Sequence, residues 1–594
     1  MAATTAGPAD AARSAARRTA GPLDGLRLST SGPDGPADAL VAEHLRLLGA
    51  ETIGPSDGGL TLSGAEFTDL TAHTAWGSDT LVDEVTVQAA TGVMAVHGRR
   101  DGVPRGLAAD YVTTATGLLT VQGLLAGLLA QARGAAVSRV EVGAERAALL
   151  TVSQYLAAAG AEEGEAAELA PGGPPFTSRD GVVFELETLD PGAWAAFWRA
   201  LEAPEEAIRR GWRPFQFRYA TACAPFPQAL HDTVRANGWE HVRQAASASG
   251  AEVCRLHSLA ERVAEQNGAA PWTLASYEAA YRTTTAATTG RPLAGFTVLE
   301  AGRRVQAPLA AHLLGLLGAD VVRIEPPGGD PLRGMPPTCD GVSARWLALN
   351  RGKRAVELDI KSTAGRRDLL DLAAGSDVFL HNWAPGKAAQ LGLDRPQLAA
   401  ANPALVYAYT SGWVDRLPGA PMGTDFMVQA RTGVGEAVRP ADEPPAPSLM
   451  TLLDVLGGLL GTEAILAGLL LRERSGNGVR VDSSLLGAAD ILTAPARERI
   501  GCGQEPRRPA GFRRPLPTAD GWVAPSDVCA AAASAYDLCE LSTPDALELL
   551  HGHGLSAAAV TTDLAALPRD PRFTGSISRD PHGAPAVRDP WSFL

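Results

Sequence analysis

Two groups of residues carry chemistry this sequence could perform. The first is Asp454, directly before a long apolar run, 455–473, that is punctuated by Gly457 and Gly458 and closed by Ser475-Gly476-Asn477-Gly478. A carboxylate at a helix start meets unpaired N–H groups and the positive end of the helix dipole, which would hold it ionised and suit it to attack an acyl carbon. The same place also suits an aspartate that merely caps the helix, worth about 1 kcal/mol. The second group is Asn350-Arg351-Gly352-Lys353-Arg354, a dense positive patch in a chain of net charge −14. Lysine as a compact charge and arginine as a planar fork suit phosphate oxygens, although basic loops are often only solvated surface.

The framework around these residues is ordinary. At 594 residues, 45% hydrophobic and 20% charged, the chain has the length of three or four domains. Its basic residues are scattered rather than gathered in stripes, which argues against nucleic acid and against an anionic membrane surface as partners. The six cysteines lie far apart with no CxxC pair, so neither a disulfide framework nor structural zinc is expected, and a cytoplasmic location is. Residues 1–20 read as a disordered tail without the apolar core of a signal peptide, and the apolar runs 118–130 and 455–471 are short for membrane spans.

Self-comparison is more informative. Val87-Gln88-Ala89-Ala90-Thr91-Gly92-Val93 returns as Val428-Gln429-Ala430-Arg431-Thr432-Gly433-Val434, and the offset of 341 holds without a gap to Arg139-Val140-Glu141 and Arg480-Val481-Asp482. Nearer the start of each copy, Leu47-Leu48-Gly49-Ala50 matches Leu316-Leu317-Gly318-Ala319 at an offset of only 269, so copy one lacks 72 residues that copy two carries between about 323 and 405. A period this long is a duplicated domain and not a solenoid. Asp454 falls on Thr113, so copy one cannot repeat its chemistry. In copy two, strand-like runs at 296–299, 321–324, 356–358, 378–380 and 405–409 alternate with helical spacing at 307–317 and 364–374, which predicts an open parallel α/β sheet with ligands at the carboxyl ends of its strands.

Several motifs, in order, resemble the class III CoA-transferases, the CaiB/BaiF family. They are Leu293-Ala294-Gly295-Phe296-Thr297-Val298-Leu299-Glu300, Val305-Gln306-Ala307, Gly318-Ala319-Asp320 through Gly329-Asp330-Pro331, Leu349 through Arg354, Asn382-Trp383-Ala384-Pro385-Gly386, and Asp454 with Arg472-Glu473 eighteen residues on. Segments 181–186, 191–201 and 211–254 resemble the family's smaller α+β domain, and Thr518 to Val523 its first hairpin.

The resemblance implies an open Rossmann-like parallel-sheet large domain plus a smaller α+β domain, duplicated into an asymmetric, interlocked pseudo-dimer. The expected units are the tail 1–20, a degenerate large domain 21–165, a small domain 176–275, a catalytic large domain 291–500 and an abbreviated small domain 515–594, with linkers at 165–175 and 286–291. One site is expected, with a lid from the small domain of copy one; the chain would act as a monomeric pseudo-dimer or a homodimer. Asp454 is the implied nucleophile, passing through an anhydride and an aspartyl-CoA thioester. Gln306, Ala307, Asn350, Lys353, Arg354, Asn382, Trp383 and Pro385 are the implied contacts of coenzyme A, with an acyl-CoA and a small carboxylic acid as substrates and no metal. The sequence departs from the family in having no evident glycine-rich covering loop. It also has Gly423-Thr424-Asp425 where the family's racemases carry Gly-His-Asp. An epimerase of the same superfamily and a non-catalytic acyl-CoA-binding protein stay open as alternatives.

Overall fold

The computed structural model describes residues 21–30, 35–55, 59–265, 268–279, 290–414 and 416–594. The expected tail, 1–20, and most of the linker 286–291 lie outside the described residues.

The sheet of copy two is built from β10 (Thr297–Ala301), β11 (Asp320–Glu325), β12 (Arg354–Glu357), β13 (Val378–His381), β14 (Val406–Ser411) and β15 (Gly478–Ser484), all parallel. The first of these strands is central, the next two lie to one side in turn and the last three to the other. Chain direction across the sheet therefore reverses between β10 and β13, and the loops after these two strands face each other at the carboxyl edge, where such sheets take ligands. The central strands are buried on both faces, as their nearly continuous apolar runs require. The charges among them are paired: Arg323 bonds Glu300 and Asp330, and Lys353 reaches Glu300 at 2.8 Å.

Copy one has β1 (Arg27–Thr30), β2 (Glu51–Pro55), β3 (Leu60–Gly64), β4 (Phe67–Ala75) and β5 (Arg139–Gly143). Here β3 runs antiparallel between β1 and β4, the place that parallel β13 holds between β10 and β14. The missing 72 residues are thus replaced by one strand that turns straight back. A small antiparallel sheet of β6 (Phe176–Thr177), β7 (Val183–Glu187) and β8 (Glu252–Arg255) follows, and the short counterpart in copy two is β16 (Leu516–Pro517), β17 (Trp522–Pro525) and β18 (Ala557–Ala559).

Each half lends an edge strand to the other. Strand β9 (Trp272–Tyr277), after the small domain of copy one, pairs antiparallel with β15 of copy two, and β19 (Trp591–Phe593), at the end of copy two, pairs antiparallel with β5 of copy one. Both begin with a tryptophan that enters the shared core: Trp591 donates its indole N–H to Leu119 O at 2.7 Å, and Trp272 lies 5.1 Å from the ring of His44.

The helices used below are α1 (Asp38–Leu47), α2 (Glu84–Ala90), α3 (Tyr111–Ala132), α4 (Glu205–Thr221), α5 (Gln306–Leu316), α6 (Asp425–Arg431) and α7 (Leu452–Ser475). Helices α3 and α7 are long and apolar enough to cross a membrane, but nearly every residue of each is buried inside the protein, where the two pack on each other. Their polar crossings are specific. Glu463 of α7 meets His44 Nδ1 at 2.8 Å, and its counterpart Gln122 of α3 donates to Leu459 O at 2.8 Å.

Candidate functional site

Asp454 lies in the first turn of α7, and the helix before it starts unusually. Its cap residue, Thr451, is left-handed at φ 55°, ψ 47° and makes no capping bond with its side chain. The cap arrives from elsewhere: Asp425, the first residue of α6, accepts the Asp454 N–H on Oδ2 at 2.7 Å and also binds the Leu453 N–H. Gln429, one turn further along α6, donates to Asp425 Oδ1 and is fixed by Ser448, whose N–H it accepts at 2.8 Å and whose carbonyl it meets at 2.9 Å. Asp454 therefore does not cap its own helix. Its carboxylate is half-buried and, among the described residues, makes no hydrogen bond.

The electrostatics correct the expectation of a carboxylate held ionised by the helix. Burial, and then the like charge of Asp425, push Asp454 up to about 8, with Glu187 adding to the rise and Arg304 opposing it. Asp425 is raised less, to about 6, because Gln429 and two backbone N–H groups partly offset its burial. The two carboxyls influence each other's charge, and Asp454 is the one raised further. Glu187 comes from the small domain of copy one. It is paired with Arg218 at 3.0 Å and accepts the Thr424 hydroxyl at 2.8 Å, which ties that domain to the residue before α6.

Gly457 and Gly458 let α5 approach α7 closely: a Cβ at Gly457 would lie 2.9 Å from Gln306 Nε2, and one at Gly458 3.0 Å from Gln306 O. Gln306 and Ala307 thus sit at the start of α5 against the first turns of the helix that carries Asp454, both buried. Asn382 holds the facing loop by accepting the Arg303 N–H at 2.8 Å and donating to the Arg303 carbonyl at 2.9 Å. Pro385 lies exposed beside it. Trp383 is buried against Phe379 and His381. Lys353 has its three N–H groups committed to Glu300 at 2.8 Å, Pro308 O at 2.8 Å and Asn350 Oδ1 at 2.9 Å, and Asn350 donates in turn to Trp346 O at 3.0 Å. Arg354 is exposed on the outermost strand and paired with Asp320. The expected basic patch is therefore divided between a buried strut and a surface ion pair.

Copy one repeats the architecture of the site with threonine in place of Asp454. Glu84 caps α3 as Asp425 caps α7, accepting the N–H groups of Val112 and Thr113 at 2.8 Å, and Gln88 braces it at 2.8 Å. Thr113, at the position of Asp454, bonds the same carboxylate through its hydroxyl at 2.8 Å. Arg513 then fills the remaining space, donating to Leu107 O and Ala109 O and pairing with Asp110 at 2.7 Å and Asp527 at 2.9 Å. The offset of 341 puts Gly172 where Arg513 stands.

Comparison with known proteins decides the family, since the description of CoA-transferase family III matches residues 72–291 and again 293–553. The chain belongs to CoA-transferase family III. The duplication read from the sequence coincides with the two matches to that family. Among relatives, succinyl-CoA:glutarate CoA-transferase of Mus musculus is 35% identical over 199 residues, covering 33% of this chain and 46% of that protein. The beta subunit of succinyl-CoA–L-malate CoA-transferase of Chloroflexus aurantiacus is 37% identical over 202 residues, 33% of this chain and 50% of that protein. Acetyl-CoA:oxalate CoA-transferase of Acetobacter aceti is 32% identical over 263 residues, 43% and 65% respectively. The chain thus spans about half the length of the first two. A CAIB/BAIF family protein from Brucella suis matches at a TM-score of 0.46 with 27% identity, over 50% of this chain and 92% of that one.

The motifs that pointed to this family also named Asp454 but not the residues governing it. Asp425 stands in the Gly-Thr-Asp triplet, whose only visible signal was the histidine it lacks. Glu187 and Arg304 are remote in sequence from Asp454.

Proposed function

We propose that the chain is a CoA-transferase that moves CoA from an acyl-CoA to a carboxylic acid, with Asp454 as its single nucleophile. The observation that carries this reading is a carboxylate at a helix start, half-buried where the two copies meet and relieved of capping by Asp425. In the ionised form, an Asp454 oxygen attacks the donor thioester carbonyl, forming an anhydride and expelling CoA thiolate. The thiolate then attacks the aspartyl carbon, releasing the donor carboxylate and leaving an aspartyl-CoA thioester. The acceptor carboxylate displaces thiolate to form a second anhydride, and attack of thiolate on the acceptor's acyl carbon restores Asp454. Each intermediate is open to hydrolysis, which gives the small domain of copy one its role as cover.

Coenzyme A in this reading lies across the carboxyl ends of β10 and β13, walled by Gln306 and Ala307 on one side and Asn382, Trp383 and Pro385 on the other. Exposed Arg303 and Lys387 beside these walls supply charge for its phosphates. Asn350 and Lys353 support β10 from within, and Arg354 stands apart. Relatives are named for succinyl-CoA or acetyl-CoA with small carboxylic acids, and we extend only that class, a short acyl group and a small acid, to this chain. A cytoplasmic location belongs to the same reading, supported by six free cysteines.

Asp454→Asn tests it. Transfer between an acyl-CoA panel and small acids should fall at least a thousandfold while CoA still binds; retained transfer in this variant refutes the proposal.

A further inference from the structure

A chain of hydrogen bonds joins copy one to the start of α7. It begins at His97, the last residue of the short helix Val93–His97 in copy one, whose Nδ1 lies 2.9 Å from Ser448 Oγ in the loop before α7. Ser448 Oγ also accepts the Met450 N–H at 3.3 Å. The backbone of Ser448 is clasped by Gln429, which accepts its N–H at 2.8 Å and donates to its carbonyl at 2.9 Å. Gln429 in turn donates to Asp425 Oδ1, and Asp425 Oδ2 accepts the Asp454 N–H at 2.7 Å. His97, Ser448, Gln429 and Asp425 are all buried.

The other half shows which link of this chain is peculiar to the site of Asp454. The offset of 341 carries Glu84, Gln88 and Leu107 onto Asp425, Gln429 and Ser448. The clasp is repeated there, with Gln88 accepting the Leu107 N–H at 2.8 Å and donating to Glu84 at 2.8 Å. The same two segments also meet, since the Ala108 N–H reaches Val438 O at 3.1 Å. Yet the offset carries His97 onto Val438, so around Thr113 the corresponding pair is Leu107 and Val438, both buried and apolar. The pair is polar only where Asp454 stands.

That polarity costs stability. His97 Nε2 is buried with no hydrogen-bond partner among the described residues, a deficit that a valine would not carry. Burial and the like charges of Arg439, Arg100 and Arg105 hold the ring well below the usual histidine range, so its bond to Ser448 joins neutral groups. We propose that His97 is a positioning residue of the site, supplied by copy one across the join: it fixes Ser448 and, through Gln429 and Asp425, sets the first turn of α7 that carries Asp454. The proposal rests on the transferase reading and adds to it a residue of copy one that transfer requires.

The test uses the whole chain and four variants, His97→Val, His97→Asn, Ser448→Ala and the double variant His97→Val with Ser448→Ala. Two readouts are taken: kcat and KM for the best acyl-CoA and acid pair of a panel, and hydrogen exchange of the Leu453 and Asp454 amides by mass spectrometry. In His97→Val and in Ser448→Ala, kcat should fall about tenfold to a hundredfold with KM for acyl-CoA unchanged. The double variant should lose no more than either alone, as two ends of one bond do, and His97→Asn should recover most of the rate. The two amides should exchange faster in the impaired variants, while those of Val112 and Thr113, at the equivalent helix start of copy one, should not. Unchanged kcat, losses that multiply in the double variant, or acceleration spread evenly over both helix starts overturns the positioning, the last because it marks general loosening. Should the intact protein transfer nothing, faster exchange confined to Leu453 and Asp454 keeps the positioning and removes the enzyme; unchanged exchange there removes the positioning whether or not transfer occurs.

Discussion

Asp425 and Asp454 divide the two tasks that a carboxylate at a helix start can have. Asp425 takes up the orphan N–H groups, which leaves the Asp454 oxygens free for the reaction proposed for them. The cost is a proton: with Asp454 pushed up to about 8, the ionised form that the proposed attack requires is the minor one at neutral pH. The kcat/KM profile should therefore rise about tenfold per pH unit below an apparent pKa near 8 and level above it. Asp425→Asn keeps an acceptor for the helix but removes the like charge, so the rising limb should move to lower pH; an unmoved limb would mean that Asp425 acts only as a cap. Stability runs the opposite way. A carboxyl raised above its unfolded value favours the fold while protonated, and that contribution is lost as pH climbs from about 4 through 8. Asp454→Asn should thus melt higher than the unsubstituted protein by a margin that widens between pH 5 and pH 9 in calorimetry. The place of Asp454 at a helix start was legible in the sequence from the apolar run and glycines that follow it, whereas the role proposed for it came from the family resemblance. Its coupling to Asp425 was not, since a residue 29 positions earlier becomes a neighbour only through the return of α6 onto α7.

At the scale of elements, α7 is held by close approach rather than by surface charge. A methyl at Gly457 would meet Leu485 Cδ2 at 2.7 Å and Gln306 Nε2 at 2.9 Å, so the ends of both side chains must shift within a packed interior. Gly457→Ala should cost about 1–3 kcal/mol in urea denaturation and move Gln306. Apolar periodicity located five of the six parallel strands of copy two and the helices at 307–317 and 364–374 to within one or two residues, most surely where a strand buries a continuous apolar run, as β10 and β13 do. The same reasoning could not see inside the basic patch. Lys353 looks available for phosphate in a linear sequence, yet Glu300, which satisfies it, lies 53 residues away on the central strand. Charge composition reveals that cations are present and not which of them are already paired.

As a whole molecule, the chain is two copies that have grown unequal. The repeat was legible in full, and so was the missing segment, but neither the exchanged strands β9 and β19 nor the filling of the second site was, because both depend on contacts between residues hundreds of positions apart. Arg513 sits where the offset puts a glycine, and its charge balances Glu84, Asp110 and Asp527. Arg513→Gly should destabilise the protein by about 3 kcal/mol, since it removes a buried cation from buried Glu84 and from the partly exposed Asp110 and Asp527. Thr113→Asp should add no transfer activity, because copy one lacks the segment that carries β13 and the loop after it. The proposal thereby confines reactivity to one place. The most direct test is intact and peptide mass after incubation with an acyl-CoA panel and hydroxylamine, which captures an activated aspartyl group as its hydroxamate. The account predicts one modification per chain, on the peptide bearing Asp454 and absent from Asp454→Asn. A modification elsewhere, or none with any acyl-CoA that the protein turns over, would contradict it.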